Sequence, residues 1–198
     1  GDLEADLEQL NDQLFPVLDE NAALRMQERI RAAAREGDSV GGILETAVTG
    51  LPAGIGEPWF DTVESLLAHA LFGIPAVKGV EFGEGFGFAA MTGSRANDGL
   101  FVRDGKIAMR TNHNGGINGG ITNGMPLLFR CAVKPTPSIS REQESVDPAT
   151  MQSRTLSVQG RHDPAIVHRA RVVVDSVAAL VLCDLMALRY GTDFPDVE

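Results

Sequence analysis

Apolar residues recur at helical spacing over the first part of the chain. Leucines fall three or four positions apart in residues 1–14, with acidic residues between them, and this pattern predicts an amphipathic helix that ends before Phe15 and Pro16. A second helix is predicted over residues 21–36, with Gly37 as its C-terminal cap. The residues of this helix that we expect to face a core are Ala22, Leu24, Met26, Ile30 and Ala33 or Ala34.

Two further helices are predicted, and they differ in how much of their surface is apolar. Asp61, followed by Glu64 three residues later, is the expected cap of a helix with one apolar face. The longest helix is expected to start at Asp163 and Pro164, a capping residue followed by the residue favoured at the first helical position, and to reach Arg189. Because apolar residues lie on most of its sides, we expect this helix to be buried between layers.

Strand-like runs separate these helices. We expect strands over residues 39–51, 75–82 and 125–133, and a hairpin that turns at Asp104 and Gly105. Residues 138–150 are polar and predict a mobile surface loop, after which residues 156–158 return to the sheet. Antiparallel-looking strands with buried helices predict the α+β class. The length of 198 residues favours a single domain, 1–198.

The composition is that of a soluble globular chain, and it narrows the choice of partners. Hydrophobic residues make up 43% of the chain, which argues against disorder. The formal net charge of −10 repels phosphate backbones and anionic lipid, so we expect no nucleic-acid or membrane partner. Cys131 and Cys183 lie in apolar runs without metal-ligand or redox spacing, which favours buried free thiols and no metal. With no secretory or membrane-spanning segment recognised, a cytoplasmic location is expected.

One stretch differs from the rest of the chain in composition. Residues 111–126 contain five glycines and four asparagines, and Gly115 with Gly116 and Gly119 with Gly120 form two pairs. Glycine and asparagine tolerate positive φ, so this stretch must turn tightly and approach something closely. Successive N–H groups of such a loop can form a nest for an anion. A glycine-rich hairpin without a ligand explains the composition equally well.

Two polar segments further along are candidates for holding an anion. The first supplies a cation, a hydroxyl and a turn of N–H groups, although a plain strand end would also suit it. Its residues are Lys134, Pro135, Thr136, Pro137 and Ser138.

The second segment combines Arg161, His162 and Asp163. A guanidinium binds a phosphate or carboxylate through two N–H groups, and the start of the predicted helix adds N–H groups and the helix dipole. Asp163 also suits a capping role. His162 has the chemistry of a general acid or base and is equally suited to a structural role.

Taken in their order along the chain, these segments resemble the chorismate synthase family. The likeness runs from about Asp38 to about Arg189 and rests on five blocks. The blocks are residues 75–83, residues 85–98 with Gly85, Phe86, Gly93, Ser94, Asn97 and Asp98, residues 111–126, residues 134–139 and residues 160–164. Family members open with roughly a further half that has no counterpart here, so the resemblance implies the C-terminal, FMN-binding portion.

The resemblance implies a fold, a reaction and a cofactor. The implied fold places helices between antiparallel sheets in a β-α-β sandwich, of which this chain holds a part, and the implied assembly is a homotetramer. The implied enzyme is a flavoprotein lyase of the shikimate pathway, which serves aromatic amino acid biosynthesis. It removes phosphate from 5-enolpyruvylshikimate 3-phosphate by 1,4-elimination to give chorismate, and it requires reduced FMN.

The resemblance also implies the site residues. FMN contacts are implied for Pro75, Ala76 and Gly119 through the backbone, and for Lys134, Pro135, Thr136, Pro137 and Ser138. Arg161 is implied to contact FMN or the substrate. Asp163 is implied to lie near N5 of the flavin, where its carboxylate could relay a proton.

The missing half limits what this chain is expected to do. The acid–base histidines and most phosphate-binding arginines of the family belong to that half, so we expect this chain alone to be inactive. A flavin-binding module without chemistry, or an assembly module that uses its apolar helices, are the competing functions.

Overall fold

The computed structural model describes residues 2–103, 105–160 and 162–191, and the chain divides into two compact units. Unit 1 contains residues 1–43 and 133–170, and unit 2 contains residues 44–132 and 171–198. The helices are α1 (Leu3–Asn11), α2 (Glu20–Arg35), α3 (Val63–Phe72), α4 (Gly93–Ala96) and α5 (Val167–Tyr190). The strands are β1 (Gly42–Val48), β2 (Val77–Phe82), β3 (Leu100–Arg103), β4 (Lys106–Met109), β5 (Ile117–Asn118), β6 (Ile121–Thr122), β7 (Leu127–Val133), β8 (Gln143–Asp147) and β9 (Gln152–Leu156).

The ends of α2 follow from its sequence. Asp19 precedes the helix, and its Oδ1 accepts a hydrogen bond from the N–H of Ala22 at 2.8 Å. Gly37 follows the helix with φ +67°, and the N–H of Asp38 donates to Ala33 O at 2.9 Å. The predicted glycine cap is therefore confirmed.

The predicted core face of α2 is only partly correct. Ala33 is buried, but 61% of Leu24 and 49% of Met26 remain exposed. Within the described residues, the predicted core face of α2 is therefore buried at Ala33 and open at Leu24 and Met26.

Residues 143–156 form an antiparallel hairpin, so the prediction of a mobile loop is wrong. Gln143 lies opposite Leu156, and Asp147 lies opposite Gln152. Asp147 also organises the turn, because its Oδ1 accepts a hydrogen bond from Ala149 N at 2.9 Å. β9 is exposed along its whole length, so no apolar alternation marks it as a strand. Leu156 pairs with Gln143 in this two-stranded sheet, so the prediction that residues 156–158 return to the larger sheet is wrong at Leu156.

The larger sheet has the strand order β1-β7-β2. β7 runs antiparallel to β2, because Gly83 N, just after β2, donates to Leu128 O at 3.0 Å, whereas Gly79 lies opposite Ala132. Buried and more exposed residues alternate along β7. Mixed helices and antiparallel sheets confirm the predicted α+β class. The fully buried core side chains of unit 2 include Ile55, Val63, Leu67, Leu71, Leu127, Phe129, Cys131 and Val174.

α3 begins later than predicted. Thr62 is its N-cap, and the hydroxyl oxygen accepts a hydrogen bond from Ser65 N at 3.0 Å. Asp61, the predicted cap, instead closes a short 3-10 turn, Trp59–Asp61. The predicted apolar face of α3 is confirmed by the buried residues Val63, Leu67 and Leu71.

The predicted hairpin between β3 and β4 is confirmed. Leu100 pairs with Met109, and Arg103 pairs with Lys106. Gly105 has φ +74°, as such a tight turn requires. Asp104, the other predicted turn residue, lies outside the described residues.

α5 has 24 residues and is about 36 Å long at 1.5 Å per residue. The residues that it buries, Val174, Ala178, Leu182 and Leu185, are spaced three or four apart along one face. The prediction that it is buried on most sides is wrong for this chain, because its other face is open. The exposed residues on that face include Val172, Val173, Leu180, Cys183 and Leu188.

The two cysteines therefore differ. Cys131 is a buried free thiol, as predicted, and burial raises its pKa to about 11. Cys183 is an exposed free thiol, which corrects the prediction of burial. Across the described residues, no helix is both long enough and apolar enough to span a bilayer.

Candidate functional site

One buried carboxylate organises the start of the glycine-rich stretch. Asp98, which is 7% exposed, accepts hydrogen bonds from the Thr111 hydroxyl at 2.6 Å and from the backbone N–H groups of His113 at 2.8 Å and Asn114 at 3.0 Å. The side-chain amide of Asn114 donates a fourth bond at 2.7 Å. Burial raises the pKa of Asp98, but these hydrogen bonds outweigh burial and leave the pKa below its usual value. The partners lie 13 to 16 residues away, so no local pattern indicates this role.

The first glycine pair approaches the protein's own backbone. Gly115 has φ +63°, and a Cβ on it would lie 2.5 Å from Gly83 N and 2.7 Å from Leu128 O. Gly83, in the bend after β2, has the same restriction from the opposite side, where a Cβ would strike the carbonyl of His113. The close approach predicted for this stretch is found here, between two segments of unit 2.

A carboxylate and an imidazole strengthen the same contact. His113 Nδ1 lies 3.0 Å from Glu84 Oε1, and Glu84 N donates to His113 O at 2.8 Å. A carboxylate partner fixes the orientation of an imidazole ring. His113 therefore joins the glycine-rich stretch to the bend that follows β2.

Most amides at the start of the stretch donate hydrogen bonds within the protein. Gly115 N donates to Asn112 O at 3.1 Å, and Gly116 N donates to Asn112 Oδ1 at 2.8 Å. The amides of His113 and Asn114 donate to Asp98. Because these four donors are satisfied, the anion nest does not apply to residues 113–116.

The second glycine pair forms the two-residue turn between β5 and β6. Gly119 and Gly120 have φ +59° and +88°, as a tight hairpin turn with positive φ at both positions requires. A Cβ on Gly120 would lie 2.7 Å from Glu57 O, whereas nothing lies within 4 Å of a Cβ on Gly119. Gly119, the predicted flavin contact, therefore lies at the open tip of the turn, whereas Gly120 packs against the protein.

Pro75 and Ala76, the other predicted contacts in unit 2, lie between α3 and β2. Ala76 has φ +75°, which is uncommon for a residue with a Cβ and costs about 1–3 kcal/mol. Backbone strain of this kind is concentrated at ligand-binding and catalytic sites. The local backbone is therefore compatible with the predicted contact through main-chain atoms.

The predicted segment 134–138 lies in unit 1 and is fixed by its carbonyl groups. Ser39 Oγ donates to Thr136 O at 2.6 Å, and Gln143 Nε2 donates to Pro137 O at 3.1 Å. The hydroxyl of Thr136 is buried without a hydrogen-bond partner in the described part of the chain. Such a group costs free energy unless a ligand or water satisfies it. Lys134 is exposed and forms no ion pair with any described residue.

The carboxylate of Asp163 is engaged on both oxygens. Oδ1 accepts a hydrogen bond from Ala165 N at 3.1 Å, and Oδ2 pairs with the guanidinium of Arg169. α5 starts only at Val167, and Ile166 O accepts the N–H of Ala170 at 3.0 Å. Asp163 is therefore not the N-cap, and the predicted help from the helix dipole at this residue is wrong.

His162, next to Asp163 in the chain, contacts a backbone carbonyl. The carbonyl of Val158 lies 2.7 Å from His162 Nε2, which must donate because a carbonyl only accepts. This contact favours the structural alternative for His162. Arg161 lies outside the described residues, so its predicted flavin contact is not described.

The family model described as chorismate synthase matches residues 3–187. The chain is 52% identical over 165 residues to the chorismate synthase of Korarchaeum cryptofilum, covering 83% of this chain and 46% of the relative. It is also 52% identical over 171 residues to that of Thermococcus gammatolerans, covering 86% and 48%. The match begins well before Asp38, where the sequence resemblance starts.

A solved structure of a chorismate synthase has a similar fold. The fold matches a chain titled "Crystal Structure of Chorismate Synthase" with a TM-score of 0.76 and 29% sequence identity, covering 96% of this chain and 50% of that chain. The predicted architecture, with helices and antiparallel sheets arranged as in that fold, is thereby confirmed. The chain spans about half the length of the relatives it matches.

Proposed function

Since this chain belongs to the chorismate synthase family, we propose that it is the C-terminal, FMN-binding portion of an enzyme that makes chorismate. The proposed reaction is the 1,4-elimination of phosphate from 5-enolpyruvylshikimate 3-phosphate, a lyase step of the shikimate pathway. The observation that carries the proposal is the family match over residues 3–187, which includes every segment with a predicted flavin contact. The whole enzyme would be a cytoplasmic homotetramer.

Reduced FMN is the proposed cofactor, and the described residues fit it. The buried Thr136 hydroxyl lacks a partner within the described residues, and Lys134 brings a positive charge to the same segment. Such a pair suits an anionic group of the flavin. The open tip at Gly119 leaves room for a ring system, because no atom lies where its side chain would be. When bound, the reduced flavin supplies electron density for expelling phosphate and takes up the departing hydrogen.

The protein's own residues are proposed to bind the anionic ligand and to relay a proton. With a net charge of −10, the chain must bind an anionic ligand through local cations, and Lys134 and Arg161 are the proposed ones. Asp163 is the proposed proton relay. Its carboxylate is oriented by the Arg169 guanidinium and the Ala165 amide, so Arg169 is a positioning residue in this proposal.

This chain alone is proposed to be inactive. It spans about half the length of its relatives, and the acid–base histidines of the family are assigned to the other half. The alternative function is a flavin-binding or assembly module without chemistry. Incubation with substrate and reduced FMN, followed by an assay for chorismate, is expected to show no product. Turnover by the chain alone would contradict this part of the proposal.

The test of the flavin site is a titration of this chain with FMN, followed by flavin absorbance and fluorescence, with and without 5-enolpyruvylshikimate 3-phosphate. Thr136→Val replaces the unpaired hydroxyl by a methyl group of similar size. We expect it to weaken FMN binding about tenfold while stability is kept or raised, since a lost hydrogen bond is worth about 1 kcal/mol. Lys134→Ala should weaken binding further.

Thr155→Val is the matched control, because Thr155 lies on the exposed strand β9 of the same unit. It should leave FMN affinity unchanged. Saturable binding that ignores Thr136 and Lys134 would remove this segment from the site. If this chain shows no binding at any reachable concentration, these residues hold flavin only in the complete enzyme, or not at all. Titration of a full-length relative that carries the same variants separates these two cases.

A further inference from the structure

The hairpin of β5 and β6 is anchored in unit 2 by one of its faces. Ile117 and Thr122 lie opposite each other and are buried, and the Thr122 hydroxyl accepts a hydrogen bond from Ile55 N at 2.9 Å. Because neighbouring residues of a strand point to opposite faces, Asn118 lies on the other face, where it is exposed. The hairpin therefore presents Asn118 from a fixed base, directly before the open tip at Gly119.

The hydrogen bonds of a second asparagine fix which way the Asn118 amide is turned. Asn123 Oδ1 accepts a hydrogen bond from Met125 N at 2.9 Å, so the other end of this amide must be its NH₂ group. That NH₂ group donates to Asn118 Oδ1 at 2.6 Å. Asn123 is also held by its backbone, since its N–H donates to Gly116 O at 2.9 Å. The Asn118 atom that faces Asn123 is therefore required to be an oxygen.

The remaining atom of the Asn118 amide is a donor with a fixed direction. Nδ2 of Asn118 makes no hydrogen bond with any residue that the structure describes. Turning the amide over is unfavourable, because its NH₂ group would then face the NH₂ group of Asn123. This donor is therefore offered to a ligand beside Gly119, where no atom lies within 4 Å of an added Cβ.

We propose that Asn118 binds the flavin through this NH₂ group, which donates to a carbonyl oxygen on the pyrimidine edge of the isoalloxazine ring. The inference rests on the proposed function and adds to it a side-chain contact from unit 2, where the other proposed contacts are made by backbone. The carbonyl oxygens of this edge need a donor when the ring leaves water. Asn123 is a positioning residue in this proposal, because it acts through the orientation of Asn118.

A donor at this edge should favour the reduced flavin. Reduction adds electron density to the ring, and a hydrogen bond from an N–H group strengthens as its acceptor becomes more negative. An acceptor in place of the donor should therefore weaken binding of reduced flavin more than binding of oxidised flavin. If binding of the reduced form falls tenfold more, the reduction potential of the bound flavin falls by about 30 mV. Anaerobic reduction beside a reference dye measures this shift, which a merely structural role would not produce.

The first test is a titration of this chain with FMN and with riboflavin, which has the same ring but no phosphate. Asn118→Asp keeps the oxygen that faces Asn123 and replaces the outward NH₂ group by a second oxygen. We expect it to weaken binding of both flavins at least about tenfold, with the midpoint of urea denaturation unchanged. Asn21→Asp makes the same substitution at an exposed position in the first turn of α2 and should leave both affinities unchanged.

A second variant tests the orientation of the amide. Asn123→Asp keeps the oxygen that accepts from Met125 N and places another oxygen against Asn118. The Asn118 amide should then turn over, so that its NH₂ group faces the new carboxylate and its oxygen faces outward. We expect this variant to weaken binding of both flavins as well, although residue 123 makes no proposed contact with the ring.

The possible failures point to different errors. Equal flavin affinities of the unchanged chain and Asn118→Asp would overturn the contact and leave the proposed flavin site intact. A loss of FMN affinity without a loss of riboflavin affinity would also overturn it, because the new charge would then act on the phosphate alone. If the unchanged chain binds neither flavin, the proposed flavin site of this chain is contradicted, and the Asn118 contact with it.

Discussion

The two glycine pairs of residues 111–126 lie close together in the chain and all have positive φ, yet they have different surroundings. Gly115 is enclosed by backbone atoms of Gly83 and Leu128, and its amide donates within the loop. Gly119 has no atom within 4 Å of the place where a side chain would start. The first pair is thus required by packing, whereas the position of Gly119 is free for something outside the chain. Glycine content alone does not distinguish these two reasons.

Gly115→Ala should have the largest effect. The new methyl group would meet backbone on two sides, and the residue would keep a positive φ, so we expect a loss of about 3–5 kcal/mol in the free energy of unfolding. Urea denaturation measures the change, with Gly119→Ala as the variant of equal backbone strain. Equal losses in the two variants would contradict the distinction between the pairs.

Asp98→Asn should have the second-largest effect on stability. Asp98 holds the backbone of His113 and Asn114, directly before the first glycine pair. Each oxygen of the Asp98 carboxylate accepts two hydrogen bonds. In either orientation of the new amide, its NH₂ group, itself a donor, would therefore face two donors. We expect a loss of about 3 kcal/mol. Asp61→Asn, at an exposed position before α3, is the control and should change stability little. A small effect of Asp98→Asn would show that the loop holds its shape without this carboxylate.

The pH dependence of stability should reveal the same carboxylate. The pKa of Asp98 is lowered in the folded chain, so its contribution is fully present above the unfolded value of about 3.9 and is lost as pH falls through the lower folded value. Urea denaturation between pH 5 and the acid limit of folding should show a decline that is shallower in Asp98→Asn. Parallel profiles would mean that other carboxylates cause the acid loss.

Gly119→Ala should have the smallest effect on stability and a selective effect on ligand. Backbone strain costs about 1 kcal/mol, with no clash to add to it. If the tip contacts flavin, FMN affinity should fall about tenfold in a titration. Gly124→Ala is the matched control, since Gly124 also has positive φ and ordinary contacts only, 3.7 Å to Ala53 Cβ. Equal FMN affinity in the two variants would remove Gly119 from the site.

Local sequence patterns predicted the elements whose packing is local or strongly periodic. β7 lies within the predicted strand over residues 125–133, and α3 buries residues at the predicted helical spacing. The cap of α2 at Gly37 followed from one residue type with one backbone preference. The family resemblance supplied the layered fold, which no periodicity in this chain indicates.

Other features depend on partners that are distant in sequence. The role of Asp98 rests on donors at positions 111–114, and the hairpin of β8 and β9 lacks the apolar alternation that marks a strand. The apolar composition of α5 predicts burial on most sides, but among the described residues only one face of this helix is buried. The start of α5 at Val167 was missed because Asp163 binds the amide of Ala165 before the helix begins.

Trp59 is the one tryptophan of the 198 residues, and it stands almost fully in water. Ultraviolet excitation of indole therefore reports on a single place in the molecule. Emission should be red-shifted and easily quenched by iodide or acrylamide while the Trp59 ring is in water. A blue shift would report any binding event that covers this ring, without a label.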